Sequence, residues 1–176
     1  MTTLRTTPYA ASADADRSRT HTWHSRPELT PEILGMSGLE ILQACLKGVL
    51  PAASIMSTLG FRLTEAEEGF VVFEGDPGDH LLNPMGTVHG GFLATLLDSA
   101  LGSAVMTRLP AGTTYTTVQL GVHMIRPVLA HTPTLRCEGT ALHVGRTTAT
   151  AEARVVGAED GKLYAHATTT CVVLRS

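Results

Sequence analysis

The sequence predicts an α+β protein in which one long helix packs against a six-stranded antiparallel sheet. Residues 89–108 carry a broad apolar stripe at helical spacing, which indicates a helix with one buried face. Six strand-like segments, two before this helix and four after it, are joined within each group by short connections. Short connections favour antiparallel pairing, because parallel neighbours need long crossovers.

The long helix is predicted from the stretch HGGFLATLLDSALGSAVMTR, in which Asp98 is the only charged residue between His89 and Arg108. Its apolar stripe is suited to a core and consists of Phe92, Leu93, Leu96, Leu97, Ala100, Leu101 and Ala104. Asp98 lies well off the centre of that stripe. The residues around it are all small: Gly91, Ala94, Thr95 and Gly102. We therefore expect a second subunit or a ligand to pack closely beside Asp98.

The remaining elements follow from local patterns. Ser37-Gly38-Leu39-Glu40 is expected to open a short amphipathic N-terminal helix that ends at Pro51. The six strands are predicted at 61–64, 70–75, 116–124, 135–141, 149–155 and 163–173, with turns at 67–69, 145–146 and 158–161. Edge strands of such a sheet are a liability that pairing between two subunits removes. We therefore expect a dimer with a continuous sheet.

Composition predicts one folded domain preceded by a tail. With 176 residues and 43% hydrophobic content, the chain can bury one sizeable core. Residues 1–35 are rich in Thr, Ser, Arg, Asp and His and poor in aliphatic residues, so we expect a flexible or partly ordered tail before a domain at 36–176. Trp23 is the feature that favours partial ordering, because an isolated large aromatic side chain often docks on a folded body.

Several classes of function are disfavoured. The net charge is −3 and no basic run occurs, which argues against nucleic acid or an anionic membrane surface as partner. No apolar stretch is long enough for a membrane span, and the N-terminus lacks the apolar region of a signal peptide, so a cytoplasmic location is expected. The three cysteines are expected to be small buried residues rather than a disulfide framework.

Common catalytic and cofactor motifs are missing as well. There is no HExxH, GxSxG, GxGxxG or Walker pattern, so neither a metal nor a separate cofactor is expected. His21 and His24, spaced as a pair in the tail, are weak evidence for zinc.

The loop before the long helix supplies a second candidate catalytic group. It ends in Gly90-Gly91 at the helix start, where backbone N–H groups and the positive end of the helix dipole are available. One well-aimed donor to a developing oxyanion is worth about 3 kcal/mol. The alternative is that the two glycines only permit close packing of helix and sheet.

Asn83, His89-Gly90 and Asp98, in this spacing and before four further strands, resemble the hotdog-fold acyl-CoA thioesterases of the phenylacetyl-CoA (PaaI-like) type. The resemblance covers Met36 to Leu174. Further matching segments are 59–61, 82–86, 126–127, 144–146 and 160–165. It implies a hotdog fold, an acyl-CoA substrate with no additional cofactor, and homodimers that assemble further into homotetramers.

The resemblance also implies a role for each site residue. The backbone N–H of Gly90 would polarise the thioester carbonyl, and Asp98 of the opposite subunit would act as general base or nucleophile. Asn83 and His89 would position the thioester or the attacking water. Thr117 would hydrogen-bond that water or Asp98.

We assign this last role to Thr117 rather than Thr116, because simple alternation gives Thr116 the parity of the apolar residues Val118 and Leu120. Arg126 and Arg146 are candidates to bind the phosphates of coenzyme A, although exposed arginines in hairpins are usually only solvated. The acyl group is expected to be aromatic or short to medium in length.

Structural alternatives stay open for three of these residues. His89 could only cap the helix, Asn83 could only form a turn, and Asp98 could be an interfacial carboxylate that caps a partner helix. Two other functions also fit the fold. One is an enoyl-thioester hydratase or dehydratase that uses His89 with Asp98, and the other is a non-catalytic acyl-CoA-binding protein.

Overall fold

The computed structural model describes residues 17–25, 27–28 and 30–175 of the chain. Residues 1–16, 26 and 29 of the predicted tail lie outside the described residues, so the expectation that no signal peptide is present stays a prediction. The described part contains helices α1 (Pro31–Leu34), α2 (Gly38–Leu46), α3 (Ser54–Leu59) and α4 (Gly90–Met106), and a 3₁₀ turn at Asp79–Leu81. The strands are β1 (Phe61–Glu67), β2 (Phe70–Gly75), β3 (Thr113–Met124), β4 (Leu135–Val144), β5 (Thr148–Gly157) and β6 (Leu163–Arg175).

All six strands form one antiparallel sheet in the order β1-β2-β4-β5-β6-β3. This confirms the predicted α+β architecture. The hairpins β1–β2, β4–β5 and β5–β6 lie where the turn residues indicate them, while β3 pairs with β6 and lies at the sheet edge. Among the described residues, the sheet therefore begins and ends with strands that have one unpaired edge, and one of these is β3.

Helix α4 packs along the sheet through its apolar stripe. Every residue predicted for this stripe is buried. The strands beneath present small buried residues, which let the helix approach closely: Ala149, Ala151, Ala153, Ala165 and Ala167. The approach is tightest at Gly139 of β4, where an added Cβ would lie 2.5 Å from the backbone oxygen of Ala100. Alanine at this position would force α4 away from the sheet.

The predicted short N-terminal helix begins as expected but ends early. Ser37 and Glu40 form a reciprocal capping box at the start of α2. The helix ends at Leu46 rather than at Pro51, because the chain adopts a left-handed conformation at Gly48, with a φ of 70°. A further short helix that was not predicted, α3, follows Pro51, and α1 and the 3₁₀ turn were also missed.

Strand β3 contains a bulge that corrects the predicted alternation. Thr117 pairs with Cys171 and Gln119 pairs with Thr170, so Val118 is an extra residue in the strand. Its side chain is 58% exposed. Before the bulge, Tyr115 and Thr117 are half-buried while Thr116 is exposed. The assumption that Thr116 and Val118 share the inward side with Leu120 is therefore wrong.

The described part of the N-terminal tail contacts the domain through arginines. Arg17 forms an ion pair with Asp79, and Arg19 donates a 3.0 Å hydrogen bond to the carbonyl oxygen of Thr58. Trp23 does not enter the core: it is 62% exposed and its ring lies against that of His21. Among the described residues, no helix combines the length and apolar character needed to cross a membrane.

Candidate active site

Asp98 lies in the middle of α4 with its carboxylate half-buried. Oδ1 accepts a hydrogen bond of 3.1 Å from the hydroxyl of Thr117. Within the described ranges, Oδ2 accepts no hydrogen bond and the carboxylate has no ion-pair partner. One oxygen is therefore held by the sheet and the other is available to a ligand or a water molecule.

The Asp98 carboxylate opens onto a cavity of about 610 Å³ between α4, β3 and the segment that carries α2 and α3. This volume is within the range of small-molecule sites. Asp98 and Thr117 supply part of the lining. Most of the wall is apolar and includes Leu42, Leu46, Met56, Leu63 and Phe73. We call this space the Asp98 cavity.

Three further hydroxyl groups line the Asp98 cavity: those of Ser99, Ser103 and Tyr115. Burial raises the pKa of Tyr115 above its usual range, and the neighbouring Cys171 and Asp98 raise it further. The tyrosine is therefore neutral and keeps its proton over the physiological pH range. Sequence reasoning missed all three residues, although an aromatic residue within the polar run Thr113-Thr114-Tyr115-Thr116-Thr117 was an available signal.

The close packing expected beside Asp98 is partly supplied by the chain itself. Gly102 lies one turn after Asp98, and an added Cβ there would be 2.6 Å from the Tyr115 hydroxyl oxygen. At Gly102, therefore, the expectation of a second subunit or ligand is replaced by an intramolecular contact with β3. Because Gly102 has no side chain, the ring of Tyr115 can occupy this space.

His89 is the N-cap residue of α4. Its Nδ1 accepts a 2.9 Å hydrogen bond from the backbone N–H of Gly91, so this nitrogen carries no proton in the observed arrangement. The ring is exposed and lines none of the cavities described here. Beside it, the backbone N–H of Gly90 donates to no group in the described part of the chain. The helix start thus retains one free donor.

Asn83 organises the loop before α4. Its side-chain oxygen accepts from the backbone N–H groups of Met85 and Thr87, at 2.9 and 3.3 Å, and its Nδ2 donates to the Thr87 hydroxyl at 2.8 Å. The backbone of Asn83 also pairs with that of Thr87. These contacts occupy most of the amide, so Asn83 acts locally as a turn residue that holds the loop leading to Gly90.

The predicted site residues form two separate groups in one chain. Asn83, Gly90 and Arg126 line a shallow depression of about 310 Å³, whereas Asp98 and Thr117 line the Asp98 cavity. Gly90 and Asp98 are eight residues apart on α4, which corresponds to about 12 Å along the helix axis. One chain therefore does not bring the free N–H and the carboxylate to the same atom.

The two candidate arginines also lie apart. Arg126 lies two residues beyond the end of β3, beside Gly90. Arg146 is exposed in the β4–β5 hairpin, near the residues of β6 that pair with the first half of β3. They are thus at opposite ends of β3 and cannot hold one phosphate group together within a single chain.

The long central helix, the strand order and the candidate site together define a protein with the hotdog fold, as predicted. The family model of the thioesterase superfamily matches residues 85–164, which span the loop, α4 and most of the strands that follow. A predicted esterase of Halobacterium salinarum is 30% identical over 122 residues, which cover 66% of this chain and 79% of that protein. This chain belongs to the thioesterase superfamily.

Solved structures agree with this assignment. A predicted thioesterase from Ralstonia eutropha JMP134, described as a phenylacetic acid degradation-related protein, is 30% identical with a TM-score of 0.66. The match covers 74% of this chain and 97% of that one. The PaaI protein of the phenylacetic acid degradation operon of E. coli has a TM-score of 0.67 at 21% identity, over 80% of this chain and 96% of its own, and at that identity it supports the fold alone. The similarities support a hydrolase of the thioesterase class.

Proposed function

We propose that this protein hydrolyses acyl-CoA thioesters to a free acid and coenzyme A. The observation that carries this proposal is the half-buried Asp98, which lines the Asp98 cavity and whose carboxylate Thr117 holds by one oxygen while the other accepts no hydrogen bond from any described residue. A thioester is already activated. A carboxylate beside an oriented water, together with one donor to the carbonyl oxygen, is sufficient chemistry for its hydrolysis.

In the proposed reaction, the N–H of Gly90 donates to the thioester oxygen and increases the positive charge on the carbonyl carbon. Asp98 removes a proton from a water molecule whose oxygen bonds to that carbon. The tetrahedral intermediate then expels the thiolate of coenzyme A, which takes the proton back from Asp98. In the alternative with Asp98 as nucleophile, Oδ2 itself attacks, and water hydrolyses the resulting anhydride.

We propose further that the complete site needs two chains. The separation of about 12 Å between Gly90 and Asp98 along α4 supports this, because one carbonyl group cannot contact both. Strand β3 offers the surface for pairing, since its outer edge has no partner strand among the described residues and Val118 and Met124 are 58% and 48% exposed there. Two copies joined at β3 would form a continuous sheet, and such dimers would assemble into tetramers.

The roles of the other residues follow from their contacts. Asn83 and His89 would be positioning residues, one holding the loop and the other capping α4, so that the N–H of Gly90 points outward. Arg126 lies beside Gly90 and would bind a phosphate of coenzyme A. The size and apolar wall of the Asp98 cavity favour aromatic or short to medium acyl groups.

The test is thiol release from a series of acyl-CoAs, from acetyl to palmitoyl together with phenylacetyl, by the wild type, Asp98→Asn and Asp160→Asn. Asp160 is a matched control because it lies in the β5–β6 hairpin and pairs with Lys162. We expect the Asp98 variant to lose turnover by a factor of about 10² or more and the control to retain it. Light scattering should show that both variants keep the oligomeric state of the wild type.

Other outcomes point to other functions. Equal rates of thiol release in the wild type and the Asp98 variant would show that Asp98 takes no part in the reaction. A change in enoyl absorbance without thiol release would indicate hydration, and saturable binding without either signal would indicate an acyl-CoA-binding protein. Hydration by His89 with Asp98 is less well supported, since the two residues are nine positions apart on one helix and His89 is engaged in capping.

A further inference from the structure

A short segment of the N-terminal tail, residues 17–19, contacts two parts of the domain that are distant from each other in the chain. Arg19 donates a hydrogen bond of 3.0 Å from Nη1 to the carbonyl oxygen of Thr58, in the last turn of α3. Arg17 forms an ion pair with Asp79, the first residue of the 3₁₀ turn. This segment, which we call the latch, therefore connects α3 to the 3₁₀ turn.

Helix α3 has few other contacts that hold it in position. It has six residues, all at least partly exposed, and no side chain caps its N-terminus. The hydroxyl groups of Ser57 and Thr58 bond back to the carbonyl oxygen of Ser54 within the helix. Among the hydrogen bonds of the described residues, the one from Arg19 alone connects α3 to a segment distant in the chain. A short helix with so few buried contacts is expected to open locally at low cost in free energy.

The position of α3 matters because its segment forms a wall of the Asp98 cavity. Pro51, Ala52 and Ala53 before the helix and Met56 within it line this space. Met56 is also partly buried against the hydrophobic core. A displacement of α3 would therefore widen the cavity and remove apolar contacts from any acyl group that reaches this wall.

The guanidinium group of Arg19 fits closely at the end of α3. The carbonyl groups in the last turn of a helix have no donor within the helix, and Arg19 supplies one for Thr58. Gly60 is the C-cap residue, and an added Cβ there would lie 2.8 Å from Nη2 of Arg19. The arginine thus occupies a space that a side chain at residue 60 would crowd.

We propose that the latch holds α3 against the Asp98 cavity in the conformation that binds the acyl group, with Arg19 as the positioning residue and the ion pair of Arg17 with Asp79 as its anchor. Arg19 acts through α3 and does not contact the substrate. This inference rests on the proposed thioesterase function and assigns a part in it to the tail. Both contacts are exposed, so each has a modest effect, and that effect falls on binding of the acyl group rather than on the reaction step.

The test measures kcat and KM for acetyl-CoA, whose acyl group offers little surface to α3, and for phenylacetyl-CoA and hexanoyl-CoA. The proteins are the wild type, Arg19→Ala and Arg175→Ala. Arg175 is the matched control, because it is an exposed arginine whose side chain forms no ion pair with another described residue. Hydrogen exchange of the amides of residues 54–60 measures the opening of α3 in the same proteins.

We expect Arg19→Ala to raise KM for the two larger substrates by about 5-fold, the effect of one hydrogen bond, with kcat nearly unchanged and KM for acetyl-CoA within about 2-fold of the wild type. Exchange of residues 54–60 should become about 5-fold faster. Arg175→Ala should match the wild type in every measurement. An unchanged KM for the larger substrates, or an equal rise for all three, would overturn the inference and leave the proposed function intact.

A charge exchange tests the anchor. Arg17→Asp places two carboxylates together and should raise KM for the larger substrates by about 2-fold or more. The double variant Arg17→Asp/Asp79→Arg restores opposite charges and should recover the wild-type KM, and failure to recover it would contradict the anchor. A wild type that releases no thiol from any acyl-CoA would overturn the proposed function. Unchanged hydrogen exchange of α3 in Arg19→Ala would then overturn the latch as well.

Discussion

The hydroxyl of Thr117 donates a hydrogen bond to Oδ1 of Asp98 across 3.1 Å, and this contact joins the edge strand β3 to the middle of α4. The donor lies on the last inward-facing position before the bulge at Val118. Hydrogen bonds to a charged acceptor are stronger than those between neutral groups. Thr117 therefore fixes the orientation of the carboxylate and leaves Oδ2 without a hydrogen-bond donor among the described residues.

Replacing Thr117 with Val should lower kcat by about 10-fold and leave KM nearly unchanged. The change keeps the shape of the side chain but removes the hydrogen bond, which is worth about 1.5–3 kcal/mol when the acceptor is charged. Steady-state thiol release measures both constants. Thr117→Ser retains a hydroxyl and should recover most of the lost rate, and failure of this rescue would contradict the role assigned to Thr117.

Substitutions at His89 distinguish a role in capping α4 from a role in catalysis. His89→Ala removes the acceptor for the Gly91 N–H and should lower the free energy of unfolding by about 1 kcal/mol. His89→Asn supplies another good N-cap acceptor, so we expect its stability and kcat/KM to be close to those of the wild type. Denaturant unfolding and thiol release measure the two effects. A stable His89→Asn variant whose rate falls more than about 10-fold would show that the ring acts on the substrate.

Replacing Gly102 with Ala tests the contact between α4 and Tyr115. The new Cβ would lie 2.6 Å from the tyrosine oxygen, so we expect a loss of about 1–2 kcal/mol, because overpacking exceeds the gain in helix propensity. The loss should be smaller in a Tyr115→Phe background, where the oxygen is absent. Chemical denaturation of the four proteins of this double-mutant cycle measures the coupling.

A matched control for this cycle is Gly35→Ala, whose Cβ would have no contact shorter than 3.4 Å. This variant should be nearly as stable as the wild type in both backgrounds. Equal destabilisation by Gly102→Ala in both backgrounds would show that the clash is with the ring, whose Cε2 would lie 2.9 Å from the added Cβ, and not with the hydroxyl oxygen.

Stability should fall at alkaline pH. Burial raises the pKa of Tyr115 above its ordinary value of 10.0, with further contributions from Cys171 and Asp98, and burial likewise raises the pKa values of the Cys137 and Cys171 thiols above 9.0. The unfolded chain therefore loses these protons at a lower pH than the folded chain. Their stabilising contribution is complete below about pH 9 and declines as the pH rises further.

Urea unfolding at a series of pH values from 7 to 11 would measure this decline, at roughly the pH where free thiols and phenols ionise. Tyr115→Phe removes one of the titrating groups, so its free energy of unfolding should fall less steeply above about pH 10 than that of the wild type. Parallel curves for the two proteins in this range would argue against a raised pKa of Tyr115 in the folded protein.

The fold could be predicted from the sequence because its main elements have strong periodicity. The apolar stripe of α4 and the alternating small residues of β5 and β6 each determine which face is buried. The helices missed, α1 and α3, have four and six residues, too few for a hydrophobic period to be recognised. Helix α2 ends early because Gly48 adopts a left-handed conformation. In the sequence, Pro51 is the stronger signal for a helix end, so the end of the helix was predicted there.

The candidate site was less predictable than the fold. Asp98 was found because a charge within an apolar helix is conspicuous, but Tyr115 belongs to the site only through its packing on Gly102, a contact between distant segments. Thr117 was assigned on simple alternation, and the bulge at Val118 shows that this reasoning was wrong. A bulge depends on the partner strand, so its position cannot be read from the strand alone.

The bulge at Val118 also determines how substitutions in β3 affect the candidate site. Val118 is an extra residue that shifts the pairing of β3 with β6 by one position. Tyr115 and Thr117, before the bulge, turn toward the cavity, and Leu120 and Val122, after it, turn toward the core. Side chains on both sides of the bulge pack against the core, but only the first half of the strand also lines the Asp98 cavity. A substitution at Tyr115 therefore changes the lining of the cavity and the packing of the core together, while the pairing of β3 with β6 beyond the bulge stays in place.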